Sequence, residues 1–172
     1  MSAYLINGPS GSGKTSIGIE LSRRGFNVID TDEEFGYYAN LETEEHVEFP
    51  GDNITEDWYK QYGWIWNRQK VEHTLDTSNE TLFLCGGALN ESDFYPYFKK
   101  VFRLIVDLDT LIKRIQSRGN DKHTNNPDFI ARMLRFLSVA EQEGKIAGMV
   151  IIDTSKKSVE ESTDELLGYV KD

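Results

Sequence analysis

The sequence predicts a three-layer α/β/α domain built on a five-stranded parallel sheet. Two observations carry this. Five short apolar runs alternate with segments of helical periodicity along the chain, which is the pattern of parallel strands covered by helices on both faces. The first run also ends in a glycine-rich stretch that leads straight into the first helical segment. A length of 172 residues fits one domain spanning 1–172, with room for a small insertion.

Ala3–Asn7 (AYLIN) is a short apolar run that stops at glycines, so it reads as a buried strand. Lys14–Arg24 carries Ile17, Ile19 and Leu21 and ends at Gly25, the signature of a helix and its stop. Phe26–Asp30, Thr81–Cys85, Val101–Asp107 and Met149–Ile152 supply the remaining strands. Helical patterns fill the gaps at about Trp66–Asp76, Thr110–Arg118, Pro127–Glu143 and Val159–Val170. In Pro127–Glu143 the residues Phe129, Ile130, Met133, Phe136, Leu137 and Ala140 recur at spacings of three and four. Two stretches exceed this minimal plan. Tyr37–Gly63 is long, acidic and aromatic, and Gly119–Asn126 contains no apolar residue. Long connections in compact domains are usually functional. The first is expected to be an acceptor-side segment, about 33–77, and the second a lid, about 118–127.

Composition excludes several classes. The longest apolar runs fall far short of the roughly 18 residues of a membrane span, and no secretory leader is visible. Cys85 is the single cysteine, so no internal disulfide forms, which fits a reducing, cytoplasmic setting. A formal charge of −10 argues against a nucleic-acid surface, which needs clustered Lys and Arg. It leaves room for a small phosphorylated ligand in one local pocket. The acids are uneven: residues 25–59 hold 11 Asp or Glu and no Lys or Arg. Such a run reads either as a solvated face or as the wall of a pocket that disfavours anions.

Residues 8–15, GPSGSGKT, match G-x-x-x-x-G-K-[ST] in full. Gly8, Gly11 and Gly13, with Pro9, Ser10 and Ser12 between them, let backbone N–H groups turn inward around phosphate oxygens. The following helix N-terminus, with Ser16 in its first turn, favours an anion. Lys14 supplies a point charge to the β- and γ-phosphates, and Thr15 a hydroxyl to Mg²⁺.

The second strand ends in Asp30-Thr31-Asp32, on the sheet edge where ligands of parallel sheets bind. Two carboxylates there can hold Mg²⁺ through water and orient an acceptor hydroxyl. Proximity of the two would raise one pKa, which suits a base. The third strand runs into Gly86-Gly87-Ala88, where paired glycines admit a ligand close to the backbone. No aspartate stands at that strand end, which weighs against a motor ATPase. Arg114 and Arg118 lie four apart at the start of the lid, and Arg132 and Arg135 just beyond it. Arginines so placed can stabilise charge on a transferring phosphoryl group.

At this point the chain resembles the shikimate kinase, gluconate kinase and adenylate kinase group of P-loop kinases. GPSGSGKT (8–15), VIDTD (28–32), LFLCGG (82–87), DLDTLIKRIQSR (107–118) and VIIDTS (150–155) carry the likeness over nearly the whole chain. The stretch 84–106 also resembles uncharacterised bacterial P-loop ATPases or kinases. The resemblance implies a P-loop NTPase sheet of order 2-3-1-4-5, ATP phosphates on 8–15, and adenine near Arg114, Arg118 and Thr154–Lys156. It places Asp30 near Mg²⁺, Asp32 on the acceptor hydroxyl and Gly86-Gly87 against the acceptor. Arg68 and Arg132 are the candidate acceptor arginines. Where shikimate kinases carry a third glycine, this chain has Ala88.

The expected function is an ATP- and Mg²⁺-dependent kinase that phosphorylates a hydroxyl of a small neutral or amine-bearing molecule. Trp58, Trp64 and Trp66 are available to stack on a sugar face or a cation. Lys14, Asp32, Arg118 and Arg132 are its expected catalytic residues. A nucleoside or nucleotide kinase and a non-catalytic ATP-binding regulator remain as alternatives. Nucleic acid and membrane are not expected partners, and the chain would act as a monomer or homodimer.

Overall fold

The computed structural model describes residues 2–51, 54–117 and 127–170. In chain order the elements are β1 (Ala3–Asn7), α1 (Lys14–Arg23), β2 (Asn27–Asp30), α2 (Thr31–Glu34), β3 (Gly36–Asn40), α3 (Glu56–Gln61), β4 (Tyr62–Trp66), α4 (Arg68–Thr77), β5 (Leu82–Cys85), β6 (Lys100–Ile105), α5 (Leu108–Ser117), α6 (Pro127–Ile146), β7 (Val150–Asp153) and α7 (Val159–Val170). A 3-10 helix, Glu91–Tyr97, lies between β5 and β6.

The main sheet has the order β2-β5-β1-β6-β7, and all its pairings are parallel. Counting only these five strands, that is the expected order 2-3-1-4-5. β1 and β5 are buried along their whole length, as strands covered on two faces must be. Alternation sorts their side chains. Ala3, Leu5, Leu82 and Leu84 join Trp66, Val71, Leu75, Phe94 and Phe98 in one core layer. Tyr4, Ile6, Phe83, Cys85, Phe102, Leu104 and Ile152 pack on Ile17 and Leu21 of α1 and Leu166 of α7 in the other. The strand order reverses at β1, so the loop after β1 opens at the switch point of the sheet, where ligands bind in such folds.

The stretch Tyr37–Gly63 differs from expectation. β3 and β4 form a separate antiparallel two-stranded sheet, running from Gly36↔Trp66 to Asn40↔Tyr62, with α3 between them. Trp66, expected to open a helix, closes β4, and α4 starts two residues later behind an N-cap at Asn67. Trp66 is therefore not a stacking surface: it is 1% exposed and part of the core. Much of the acidic run is a solvated face, with Glu33, Glu34, Glu42, Glu45 and Glu48 all exposed. The expected lid up to residue 126, Arg118 included, lies outside the described residues, as does the side chain of Arg132 on α6. Among the described residues no helix is long and apolar enough to cross a membrane.

Candidate functional site

One half of the site is built on the loop between β1 and α1. Gly13 occupies the N-cap of α1 with φ 104°, in the left-handed region that glycine tolerates, and no side chain caps the helix. The first amides of α1 are thus directed at whatever anion occupies the loop. The loop has no spare volume: a Cβ on Gly8 would come within 2.6 Å of the Leu104 carbonyl oxygen, and one on Gly11 within 2.4 Å of Leu111 Cδ1. Lys14 folds back over the loop, its Nζ donating to the carbonyls of Gly8 at 2.8 Å and Pro9 at 3.2 Å. Thr15 and Ser16 are exposed on the outer turn.

Arg114 and Thr154, separately expected on this side, meet on the loop. Arg114 Nη1 donates to Gly11 O at 3.1 Å, Ser12 O at 3.3 Å and Thr154 Oγ1 at 3.0 Å, while Nη2 donates to Thr154 O at 2.8 Å. The Thr154 hydroxyl in turn donates to Ser12 O at 2.8 Å. These contacts fasten α5 and the end of β7 to the loop. Beside them opens a cleft of about 230 Å³ walled by Gly11, Ser12, Gly13, Ser16, Arg114, Thr154 and Lys157 among others.

The other half of the site starts at the end of β2. Asp30 caps α2, its Oδ1 accepting from the Asp32 amide at 3.0 Å. Asp32 lies in the first turn, with one side open to solvent and the other against protein. Its Oδ1 accepts from the indole Nε1 of Trp64 at 3.2 Å, and the Gly87 amide lies on the same side. Desolvation against these walls pushes the Asp32 carboxyl above the ordinary aspartate range. Lys14, Trp64 and the Gly87 amide pull the other way, and Asp30 adds to the rise. A cation and a carboxylate from the two halves therefore lie within electrostatic reach of each other.

Gly86 fits because nothing larger does: a Cβ there would lie 1.8 Å from Thr31 Oγ1, whose hydroxyl donates to the Cys85 carbonyl at 3.2 Å. Burial pushes the Cys85 thiol up to about 12, so it is an inert packing group. Beneath the turn Glu91 Oε1 accepts from Asn7 Nδ2 and from Tyr95 OH, each at 2.7 Å, and Oε2 accepts from the Ala88 amide at 3.3 Å. Arg103, buried on β6, approaches Glu91 at 3.5 Å and lies over the Phe136 ring of α6. Burial still pushes the Glu91 carboxyl upward against those partners.

Lys14, Thr15, Asp30, Asp32, Gly86 and Gly87 thus gather at one edge of the sheet, with Arg114 and Thr154 behind the loop. Arg68 is committed elsewhere: its guanidinium pairs with Asp93 at 2.5 Å and Glu72 at 3.7 Å and covers the Phe94 ring. Arg135 bridges α6 to Glu56 at the start of α3. Trp64, expected as a stacking surface, instead donates to Asp32, while Glu91 and Arg103 escaped the sequence reading. A tryptophan opposite an aspartate 32 residues away leaves no local pattern, and a buried Arg or Glu is a fact of packing.

A family model described as an AAA domain matches residues 5–134. Among curated proteins, the "Probable thymidylate kinase" of Methanocaldococcus jannaschii is 38% identical over 72 residues, which is 41% of this chain and 35% of that protein. The chain thus spans about a third of the length of that curated relative. Shikimate kinase from Acinetobacter baumannii, solved in complex with shikimate, superposes with a TM-score of 0.62 at 15% identity, over 99% of this chain and 93% of that one. Deoxyadenosine kinase from M. mycoides with bound dATP superposes with a TM-score of 0.56 at 14% identity over 100% of both chains. At these identities the two structures share the fold, and the family rests on the sequence match. With that match covering well over half of its length and the phosphate loop at its switch point, the chain belongs to the AAA-domain family and is built on the P-loop kinase fold.

Proposed function

We propose that the protein is a kinase that transfers the γ-phosphoryl group of ATP to a hydroxyl of a small neutral or amine-bearing molecule. The observation that carries this is Asp32: a carboxylate with a raised pKa, open on one side, at the same sheet edge as Lys14 and the phosphate loop. In this reading the loop amides and Lys14 hold the phosphates, and Lys14 stabilises charge that grows on them during transfer. Asp32 orients the acceptor hydroxyl and takes its proton as the bond to phosphorus forms. Gly86 and Gly87 let the acceptor lie against the backbone. Arg114 holds the loop in shape, and the cleft beside it receives the donor base.

Mg²⁺ fits this donor set. Hydroxyl and carboxylate oxygens are hard donors of the kind that complete a shell supplied chiefly by phosphate oxygens and water. Thr15 and Asp30 would hold it, and when bound it neutralises phosphate charge. The preference for an uncharged or cationic acceptor rests on the acids around α2 and α3, whose field opposes an incoming anion.

The 72-residue match to a probable thymidylate kinase favours a second reading, a nucleoside or nucleotide kinase. An ATP-consumption screen over sugars, polyols, cyclitols, amino sugars, nucleosides and nucleoside monophosphates separates the two. Turnover of a neutral or amine-bearing alcohol is the expected result. A monophosphate or a carboxylate such as shikimate as best acceptor overturns the charge argument, and ATP binding with no acceptor turned over overturns the kinase reading.

A further inference from the structure

Trp64 is held on three sides. Its ring lies across the neighbouring strand of the hairpin, where a Cβ on Gly36 would come within 2.1 Å of Cζ2, so glycine there is what lets the indole lie flat. Tyr38 meets it edge-on at 4.9 Å, and Tyr38 is itself stacked on Phe49 at 4.7 Å and packed edge-on against Trp58 at 5.5 Å. The backbone of β4 is tied to the turn after β5. The Leu89 amide donates to Trp64 O at 2.9 Å, and the Asn90 side chain accepts from Trp66 N at 2.9 Å and donates to Trp66 O at 3.0 Å. That same turn carries Gly86, where a Cβ would come within 3.2 Å of Asp32 Oδ1. The carboxylate is therefore held by an indole N–H from a hairpin that is itself tied to the turn packed against Asp32.

We infer that Trp64 is a positioning residue for Asp32: its indole N–H, delivered by the β3–β4 hairpin, fixes the orientation of the carboxylate that receives the acceptor hydroxyl. This rests on the proposed role of Asp32. Its physical basis is that a hydrogen bond to a charged oxygen in a partly dry site restrains rotation about the Cβ–Cγ bond and favours the ionised form. The charged groups facing Asp32 are Lys14 from α1 and Asp30 from the end of β2, and β4 contributes a neutral N–H donor, the Trp64 indole.

The test is nuclear magnetic resonance on the protein with ¹⁵N-labelled indoles and ¹³C-labelled carboxylates. At one fixed pH the Trp64 Nε1–H of the unmodified chain should show the downfield shift and slow solvent exchange of a hydrogen-bonded indole, and Asp32→Ala, which removes the acceptor, should move it upfield and speed its exchange. In Trp64→Phe the Asp32 ¹³Cγ line should shift and broaden as the carboxylate turns freely. Gly36→Ala keeps the N–H but displaces the ring, and should change both resonances the same way. An indole N–H that exchanges as fast as a free one in the unmodified chain overturns the inference, and needs no variant to fold. So does an unchanged Asp32 line in a folded Trp64→Phe. The proposed function fails separately: if the two groups are coupled as expected and Asp32→Asn still phosphorylates an acceptor at the normal rate, the contact stands and the base assignment falls.

Discussion

Gly86→Ala is the substitution whose effect the structure fixes most directly. The added methyl would lie 1.8 Å from Thr31 Oγ1, 3.1 Å from Thr31 Cβ and 3.2 Å from Asp32 Oδ1. Thr31 is completely buried, so its hydroxyl has nowhere to swing. The 1.8 Å gap must open to at least 3.0 Å, and either the turn or the first turn of α2 has to move. Overpacking of this kind costs about 1–3 kcal/mol, and the Thr31–Cys85 hydrogen bond, worth about 1 kcal/mol, is lost with it. A total of about 2–4 kcal/mol, at about 2–4 °C per kcal/mol for a chain of this size, lowers Tm by roughly 5–15 °C. Calorimetry or circular dichroism melts read this directly. Because Asp32 rides on the displaced element, transfer to the acceptor should fall more than ATP affinity. The double variant Gly86→Ala/Thr31→Ala removes the offending oxygen and should be destabilised by less than the two single changes together. A Gly86→Ala protein melting within a degree or two of the parent, or a double variant with simply additive loss, would refute the reasoning.

Three further outcomes are expected. Lys14→Met should fold normally yet lose phosphoryl transfer by several orders of magnitude in the ATP-consumption assay, since it removes the only cation placed on the carbonyls of the phosphate loop by α1 itself; near-parental turnover counts against it. Arg114→Lys cannot reproduce four hydrogen bonds to Gly11, Ser12 and Thr154 with one ammonium, so calorimetric ATP affinity should drop about tenfold or more; equal affinity would show the clamp to be dispensable. Glu20 takes hydrogen bonds from Arg23 and Arg24, which hold its carboxyl down at about 2, against an ordinary glutamate value of 4.5. A depressed carboxyl pKa stabilises the fold above the unfolded value and ceases to do so as pH falls through the folded one. Glu20→Gln should therefore melt lower than the parent at pH 7, with the gap closing between about pH 4.5 and about pH 2; a gap independent of pH would point to packing instead.

The parts that were legible in the sequence are those with local causes. β1 reads as a strand because five apolar or small residues abut glycines, and its loop reads as a phosphate site because Gly8, Gly11, Gly13 and Lys14 need no distant partner to be interpreted. The hairpin was not legible. β3 is GYYAN and β4 is YGWIW, two short runs whose pairing spans an intervening α3, and neither alternates cleanly in burial. β4 also meets α4 with only Asn67 between them, so Trp66 reads as the first residue of the helix. The same limit applies to Arg68. As a lone arginine after an acidic stretch it invites a ligand, but Asp93 and Phe94 reach it from a 3-10 helix 25 residues downstream. Glu91 and Arg103 are ordinary surface-type residues in the chain and become a buried pair only when the turn after β5 closes over β1 and β6.

The hairpin's separation from the main sheet has an evolutionary consequence. β3 and β4 share no ladder with the five parallel strands; they are attached through the turn after β5, by Leu89 N to Trp64 O and the paired bonds of Asn90 to Trp66, and through Trp66 in the core. Loops and side chains on such an appendage can drift, lengthen or be exchanged without disturbing the register of β2, β5, β1, β6 and β7, on which the phosphate machinery depends. In the proposed kinase, selection can then change the acceptor while leaving the phosphate loop untouched, with Trp64 and the turn after β5 as the seam across which a new acceptor module would be refitted to Asp32.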